Sequence, residues 1–338
     1  MEVSVRLSEL SDEEMKFIRQ IEVNHVDLYP SVIPGFHAGT LNGFQTESVD
    51  LENILKVIEK IRAADLEVMS FCNFPPVRDA LMGKPEGEKQ LEGLSNLIKL
   101  LGEESIPLLQ VCLETVRHGP GGVPGRYTKE HSGGYLMGAF SLKLMRKELA
   151  ERDMNARWAH HFKEKLMHEE YFSNCVKVLE RVTPIAEDFE VKLMIHFDDP
   201  PVSDFEGLLP GITNPLLINR LFEAVPSKNV GLLFCCGTRY ESGVDIYEQI
   251  KLFGRKGKIF HIHFRNVRGT LPSAGEYEEV ALDDGDMDMF KVLQTLKTIG
   301  YDGAINPDHT PILVGDVKGR ASLAFAAGYI KALISALS

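Results

Sequence analysis

Four β-rich runs in the second half of the chain end on residues that can hold a metal ion. VKLMIHF carries His196, NVGLLFC ends at Cys235 and runs into Cys236, KIFHIHF carries His263, and YDGAINP leads into Asp308. A single histidine at a strand end usually satisfies a core or rim hydrogen bond, whereas four successive strand ends of ligand type point to one shared site. Mixed imidazole, thiolate and carboxylate donors suit a first-row ion such as Mn, Fe, Co or Zn better than magnesium or calcium, which prefer all-oxygen shells. Residues two apart on a strand share a face. His261, His263 and Arg265 therefore align, with His263 nearer the rim and the better ligand, while alternation leaves both Cys235 and Cys236 open. His309 follows Asp308 and must point differently, and an imidazole there is a group suited to proton transfer near neutral pH.

Other polar groups crowd the same strand ends. Asp198 and Asp199 follow His196, Arg265 and Asn266 follow His263, and Glu279 precedes the aspartates of DDGDMDM. Carboxylates beside ligating imidazoles commonly fix their tautomer. Most of the DDGDMDM aspartates read as loop or N-cap residues for a helix starting near Met287. Arg265 suits either a clamp on a substrate carboxylate or an internal ion pair.

These groups converge only if the right elements carry them. Eight β-rich runs span residues 2–7, 25–30, 66–73, 106–114, 191–197, 229–235, 258–264 and 301–307, separated by amphipathic stretches such as VDLENILKVIEKIRAA and DIYEQIKLFGRK. Strand alternating with helix predicts parallel strands, and eight repeats predict closure into a (β/α)8 barrel, one domain over residues 1–338, with chemistry at the C-terminal strand ends. One connection breaks the rhythm. Residues 116–138 form a Gly- and Pro-rich segment carrying Arg117, His118, Arg126, Tyr127, Lys129, His131 and Tyr135, expected to cap the barrel mouth as a lid with its cations over the site. A long helical region over roughly 139–183 is expected after it.

Composition narrows the function. A formal net charge of −12 with interspersed signs lacks the basic surface that nucleic acid requires. The charged N-terminus lacks a signal-peptide core, and no apolar run reaches membrane length, so a cytoplasmic location is expected. Five scattered cysteines do not read as a disulfide framework. GPGGVPG is not a phosphate-cradling loop, so no nucleotide cofactor is expected. The expected partner is a small anionic substrate, and assembly into a homo-oligomer stays open.

Taken in order, MIHFDDPP, CCGT, IHFRN, the stretch from Glu279 to GDMDM, and NPDHTP resemble the mannonate dehydratase family, metal-dependent lyases on a xylose-isomerase-like barrel. The resemblance implies that His196, Cys235, His263 and Asp308 bind Mn(II) or Fe(II), with Zn(II) as the alternative, and it selects Cys235 because the family's cysteine stands two residues before a glycine. It implies that His309 is catalytic and that the reaction dehydrates D-mannonate to 2-keto-3-deoxy-D-gluconate in hexuronate catabolism. Arg265 and the loop arginines Arg117 and Arg126 are then expected to hold the substrate carboxylate, with Asp198, Asn266 and Arg320 also at the substrate; Arg320 matches a family arginine. Phe197 stands where the family usually has proline. A family tyrosine expected after the Asp-His pair has no counterpart in PILVGDVKGRA, so Tyr127 or Tyr135 is expected to replace it. A metal-dependent sugar isomerase or epimerase, and a sugar-acid-binding homologue without turnover, are the competing readings.

Overall fold

The computed structural model describes residues 1–34, 50–72, 77–113, 123–151, 168–202 and 212–337. Its strands are β1 (Glu2–Arg6), β2 (His25–Leu28), β3 (Glu67–Phe71), β4 (Leu108–Val111), β5 (Arg126–Glu130), β6 (Leu136–Ser141), β7 (Lys192–Ile195), β8 (Val230–Cys235), β9 (Ile259–His263), β10 (Asn266–Arg268), β11 (Glu276–Val280) and β12 (Ala304–Asn306). Eight of them close a barrel in the order β1-β12-β9-β8-β7-β4-β3-β2, each paired in parallel with its neighbours. All eight lie inside the runs expected from sequence. Among the described residues, no helix is long and apolar enough to cross a membrane.

Local chemistry fixes the helices that wrap the barrel. Ser11 caps helix Asp12–Gln20 by accepting from the Glu14 N–H at 3.1 Å, and Asp50, Asp245 and Asp288 cap helices Leu51–Arg62, Ile246–Gly254 and Met289–Thr298 in the same way. Each cap satisfies a backbone donor that the helix itself cannot, a contribution of about 1 kcal/mol. Asp288 thus has the N-cap role expected within DDGDMDM. The apolar stripes of these helices bury Ile54, Val57, Ile58 and Ile61, or Val292, Leu293 and Leu296, against the outward faces of the strands.

Inward-facing residues build two further layers. One is apolar, with Tyr29, Cys72, Leu108, Met194, Leu233 and Phe260. The other is polar, centred on Asp27, which accepts from Ser4 Oγ at 2.6 Å, Ser70 Oγ at 2.5 Å, Asn306 Nδ2 at 2.5 Å and, at 3.0 Å, pairs with His261 Nε2. A buried charge with this many partners holds five strands to one point.

A second sheet, absent from the sequence reading, has the antiparallel order β10-β11-β6-β5. It changes two expectations. Residues 123–138 of the expected lid include a regular hairpin, β5 and the start of β6, while residues 114–122, with Arg117 and His118, lie outside the described residues. The region 139–183 begins as strand, since Ala139, Phe140 and Ser141 belong to β6; helices Leu142–Glu151 and His168–Asp188 follow, and 152–167 lies outside the described residues. Phe140 and Tyr277, both buried, pack their rings at 5.6 Å and give this sheet its own small core.

Candidate active site

Strand ends β7, β8 and β9 bring His196, Cys235 and His263 together, with one donor atom from each lying within 4.8 Å of the others. Asp308, just beyond β12, places Oδ2 at 3.4 Å from His263 Nδ1. Both ring nitrogens of His263 are buried without a hydrogen-bond partner. Buried polar atoms are rarely left so. An orphaned imidazole, a thiol and a carboxylate facing one point fit a divalent transition ion, and the donor set fits such an ion better than a hard alkaline-earth cation.

The two cysteines differ in their surroundings. Cys235 caps helix Cys236–Glu241, where its sulfur accepts from Thr238 N at 3.4 Å, Thr238 Oγ1 at 3.1 Å and Arg265 Nε at 3.2 Å. Burial disfavours its thiolate, but Arg265 and then His196 and His263 outweigh this and hold its pKa well below the usual thiol range. Cys236 is buried among apolar groups with its pKa pushed up by burial and by Cys235, so it stays a thiol. None of the five cysteines, all among the described residues, forms a disulfide.

Arg265 holds the arrangement together. It is fully buried, and its five N–H donors are all engaged: Nε on Cys235, Nη1 on Glu241 at 2.6 Å and Glu279 at 3.3 Å, Nη2 on Asp199 at 2.5 Å and Thr238 Oγ1 at 2.9 Å. Gly237 makes this possible, because a Cβ there would stand 2.6 Å from the guanidinium carbon. The glycine of CCGT is therefore the space that Arg265 occupies. Gly138 does the same for Glu279, whose carboxylate would meet a Cβ at 2.7 Å. Burial raises Glu241 to about 8 against the pull of Arg265.

His309 stands beside this network. Its Nδ1 lies 3.0 Å from Glu279 Oε2, its Nε2 lies 3.7 Å from Asp308 Oδ2, and its side chain is 35% exposed. Burial opposes its charge, but Asp308 and Glu279 lift its pKa to about 9. A divalent cation next to Asp308 would oppose that rise by offsetting the carboxylate's charge. Arg126, from β5, donates to Asp199 and sits 3.7 Å from Glu279 Oε1, so one cation of the 116–138 segment does reach the site.

Several expected substrate contacts need correction. Arg265 cannot clamp a substrate, since no donor remains. Asn266 is spent on its own loop, donating to the Leu282 and Met287 carbonyls and accepting from the Val267 and Met287 N–H groups. Arg320 pins the last helix, Arg320–Ser335, to the first, pairing with Glu13 at 2.5 Å and Glu14 at 3.0 Å over the Phe17 ring. Alternation on β5 turns Tyr127 to the face opposite Arg126, where it lies near Glu276 and Lys129 and is 36% exposed. Tyr135 donates to Asp284 at 2.7 Å, outside the cluster. Asp198 is half-buried two residues beyond His196. Sequence reading missed Glu241 and also Tyr277, buried on β11, whose hydroxyl donates to Asp199 Oδ1 at 3.2 Å. GEYEEV alternates, so Tyr277 and Glu279 share a face; that was the available signal.

A closed parallel barrel with imidazole and thiolate donors gathered at its C-terminal rim defines a xylose-isomerase-like metal-site barrel. Solved structures agree on the fold: a mannonate dehydratase from Streptococcus suis serotype 2 superposes with a TM-score of 0.81 at 23% identity, covering 99% of this chain and 93% of that one, and a xylose isomerase domain protein from Planctomyces limnophilus superposes at 0.59 and 14%, covering 98% and 95%. The D-mannonate dehydratase (UxuA) family profile matches residues 145–337. The mannonate dehydratase of Thermotoga neapolitana is 31% identical over 317 residues, covering 85% of this chain and 86% of the relative; that of Thermotoga maritima is 29% identical over 338 residues, covering 96% and 86%. The chain belongs to the mannonate dehydratase family, and it is a hydro-lyase.

Proposed function

We propose that this enzyme removes water from D-mannonate to give 2-keto-3-deoxy-D-gluconate, a step of hexuronate catabolism in the cytoplasm. The observation that carries the reading is the orphaned His263 imidazole beside Cys235, His196 and Asp308, with His309 poised next to them. A divalent ion, Mn(II) or Fe(II) before Zn(II), would be held by these four residues and would supply Lewis acidity to substrate oxygens as the proton next to the carboxylate leaves.

The remaining chemistry belongs to the chain. His309, partnered by Glu279 at Nδ1, moves a proton at Nε2, the nitrogen nearer Asp308. Glu279 fixes the ring and offsets its charge when the ring is protonated. Arg265 keeps Cys235 in the thiolate form that a metal requires, and together with Thr238 it holds the sulfur in place. The hairpin β5–β6 carries Arg126 into the site and limits the access of water.

The test is incubation of metal-loaded protein with a panel of hexonates and pentonates, read by mass spectrometry for products lighter by one water. Products of unchanged mass would instead support an isomerase, and absence of any product with tight binding would support a binder without turnover.

A further inference from the structure

The rim at β1, beside β12, carries a cation that the network just described does not use. Arg6 closes β1, and its direction follows from alternation: Ser4, two residues earlier, points into the barrel and donates to Asp27, so Arg6 points inward one layer nearer the mouth. Tyr29 stands one step beyond Asp27 on the inward face by the same rule. It is 5% exposed, part of the apolar layer inside the barrel, and its ring lies under the guanidinium, 4.2 Å from ring centre to Arg6 Cζ. Arg6 itself is exposed.

The register places it against the metal-ligand edge. β1 pairs with β12 through Glu2 opposite Ala304 and Val3 opposite Ile305. β12 ends at Asn306, two residues before Asp308, so Arg6 and Asp308 leave neighbouring parallel strands at the same rim. Tyr29, beneath Arg6, is within electrostatic reach of Asp308 as well.

Among the described residues, Arg265 has no donor left and Arg126 faces Asp199 and Glu279, while the buried Arg239 donates through Nη1 to the Thr213 carbonyl at 2.9 Å and leaves Nη2 buried without a partner. No carboxylate among the described residues pairs with Arg6. A guanidinium held over an aromatic ring keeps its N–H donors available, and a guanidinium fork can meet a carboxylate with two parallel hydrogen bonds.

We propose that Arg6, held over the Tyr29 ring, binds the carboxylate of the substrate and makes the enzyme select sugar acids over neutral polyols. The assignment rests on the dehydration reading above for the class of ligand. It moves the carboxylate anchor from the last strands to β1, leaving Arg265 as a positioning residue for Cys235.

Calorimetric titration of Mn-loaded wild-type, Arg6→Gln and Arg6→Lys proteins with a hexonate and with the neutral alditol of the same carbon skeleton tests this. Arg6→Gln should weaken hexonate binding about 10-fold to 100-fold, the usual range for a charge-assisted pair, while alditol binding, Mn content and the thermal midpoint stay at wild-type values. Arg6→Lys should recover part of the loss, because it restores charge without the fork. Unchanged hexonate affinity in Arg6→Gln, or an equal loss for hexonate and alditol, overturns the assignment. Wild-type protein that binds hexonates through Arg6 yet releases no water overturns the dehydration reading alone, and wild-type protein that binds no sugar acid overturns both.

Discussion

The side-chain oxygen of Asn306 accepts a hydrogen bond from the Asp308 N–H at 2.6 Å. Asp308 has a φ of 55°, a left-handed conformation that a residue with a Cβ adopts only under local constraint. Asn306 supplies the constraint, and its own amide is anchored on Asp27. Replacing Asn306 by alanine should release the turn and lower metal affinity about 10-fold to 100-fold, the range for losing a partner that orients a ligand. Equilibrium dialysis against Mn(II) measures it; affinity within twofold of wild type would show that Asp308 holds its turn unaided.

His309 and Asp308 are adjacent in sequence, and the proposed function gives proton transfer to the first and metal binding to the second. His309→Asn should retain metal and lower turnover roughly 100-fold to 10,000-fold, as loss of a general acid or base does. Asp308→Ala should instead lose metal. Metal analysis beside turnover for both variants decides, and the division fails if His309→Asn is emptied of metal as fully as Asp308→Ala.

Asp27 makes the barrel sensitive to acid. Burial would raise its pKa, but His261 and the Ser4 and Ser70 hydroxyls outweigh burial and lower it to about 2. A carboxylate with a folded pKa below its unfolded value, 3.8, adds stability that is fully present above the unfolded value and is lost as pH falls through the folded one. The contribution is roughly 2 kcal/mol, at about 1.4 kcal/mol per pH unit. Tyr29, Cys72 and Tyr301, whose ionisation Asp27 opposes, are neutral in that range. Urea unfolding should therefore show a stability drop between about pH 4 and pH 2 that Asp27→Asn removes; the same drop in the variant would assign it to other carboxylates.

Gly237 gives a test of the Arg265 network that leaves every polar group in place. Gly237→Ala puts a methyl group where the guanidinium lies, and overpacking of this kind costs typically 1 to 3 kcal/mol. The expected result is a lower thermal midpoint together with weaker Mn(II) binding, because Cys235 loses its fixed donor. An unchanged midpoint would mean that Arg265 has room to shift.

The barrel was legible because each strand announces itself: a short β-rich run between amphipathic stretches has few other uses. That His196, Cys235, His263 and Asp308 come together was legible because strand ends at a barrel mouth converge. Arg265 was harder. Sequence shows a cation near the site but not the five acceptors that consume it, which come from three segments: Cys235, Thr238 and Glu241 on one, Glu279 and Asp199 on the others. The antiparallel sheet was missed although RYTKE, HSGG and YLMGAFS read as strand, turn and strand, since the glycines and basic residues around them suggested an irregular loop. Arg6 was missed because attention rested on the last four strands, and a lone arginine after VSV carries no signal until the register of β1 against β12 is known.

The sheet β10-β11-β6-β5 joins two excursions from the barrel, one leaving after β4 and one after β9, and its pairing of Ser141 with Glu276 links positions roughly 135 residues apart. Contacts of such long range form late, because the chain between them must be ordered first. Arg126 and Glu279 ride on these strands, so during refolding the helical signal should return before the site is complete. The barrel can thus stand as a finished scaffold while the excursions that finish its mouth vary in length and sequence, and substrate range can drift among relatives without disturbing the eight strands beneath.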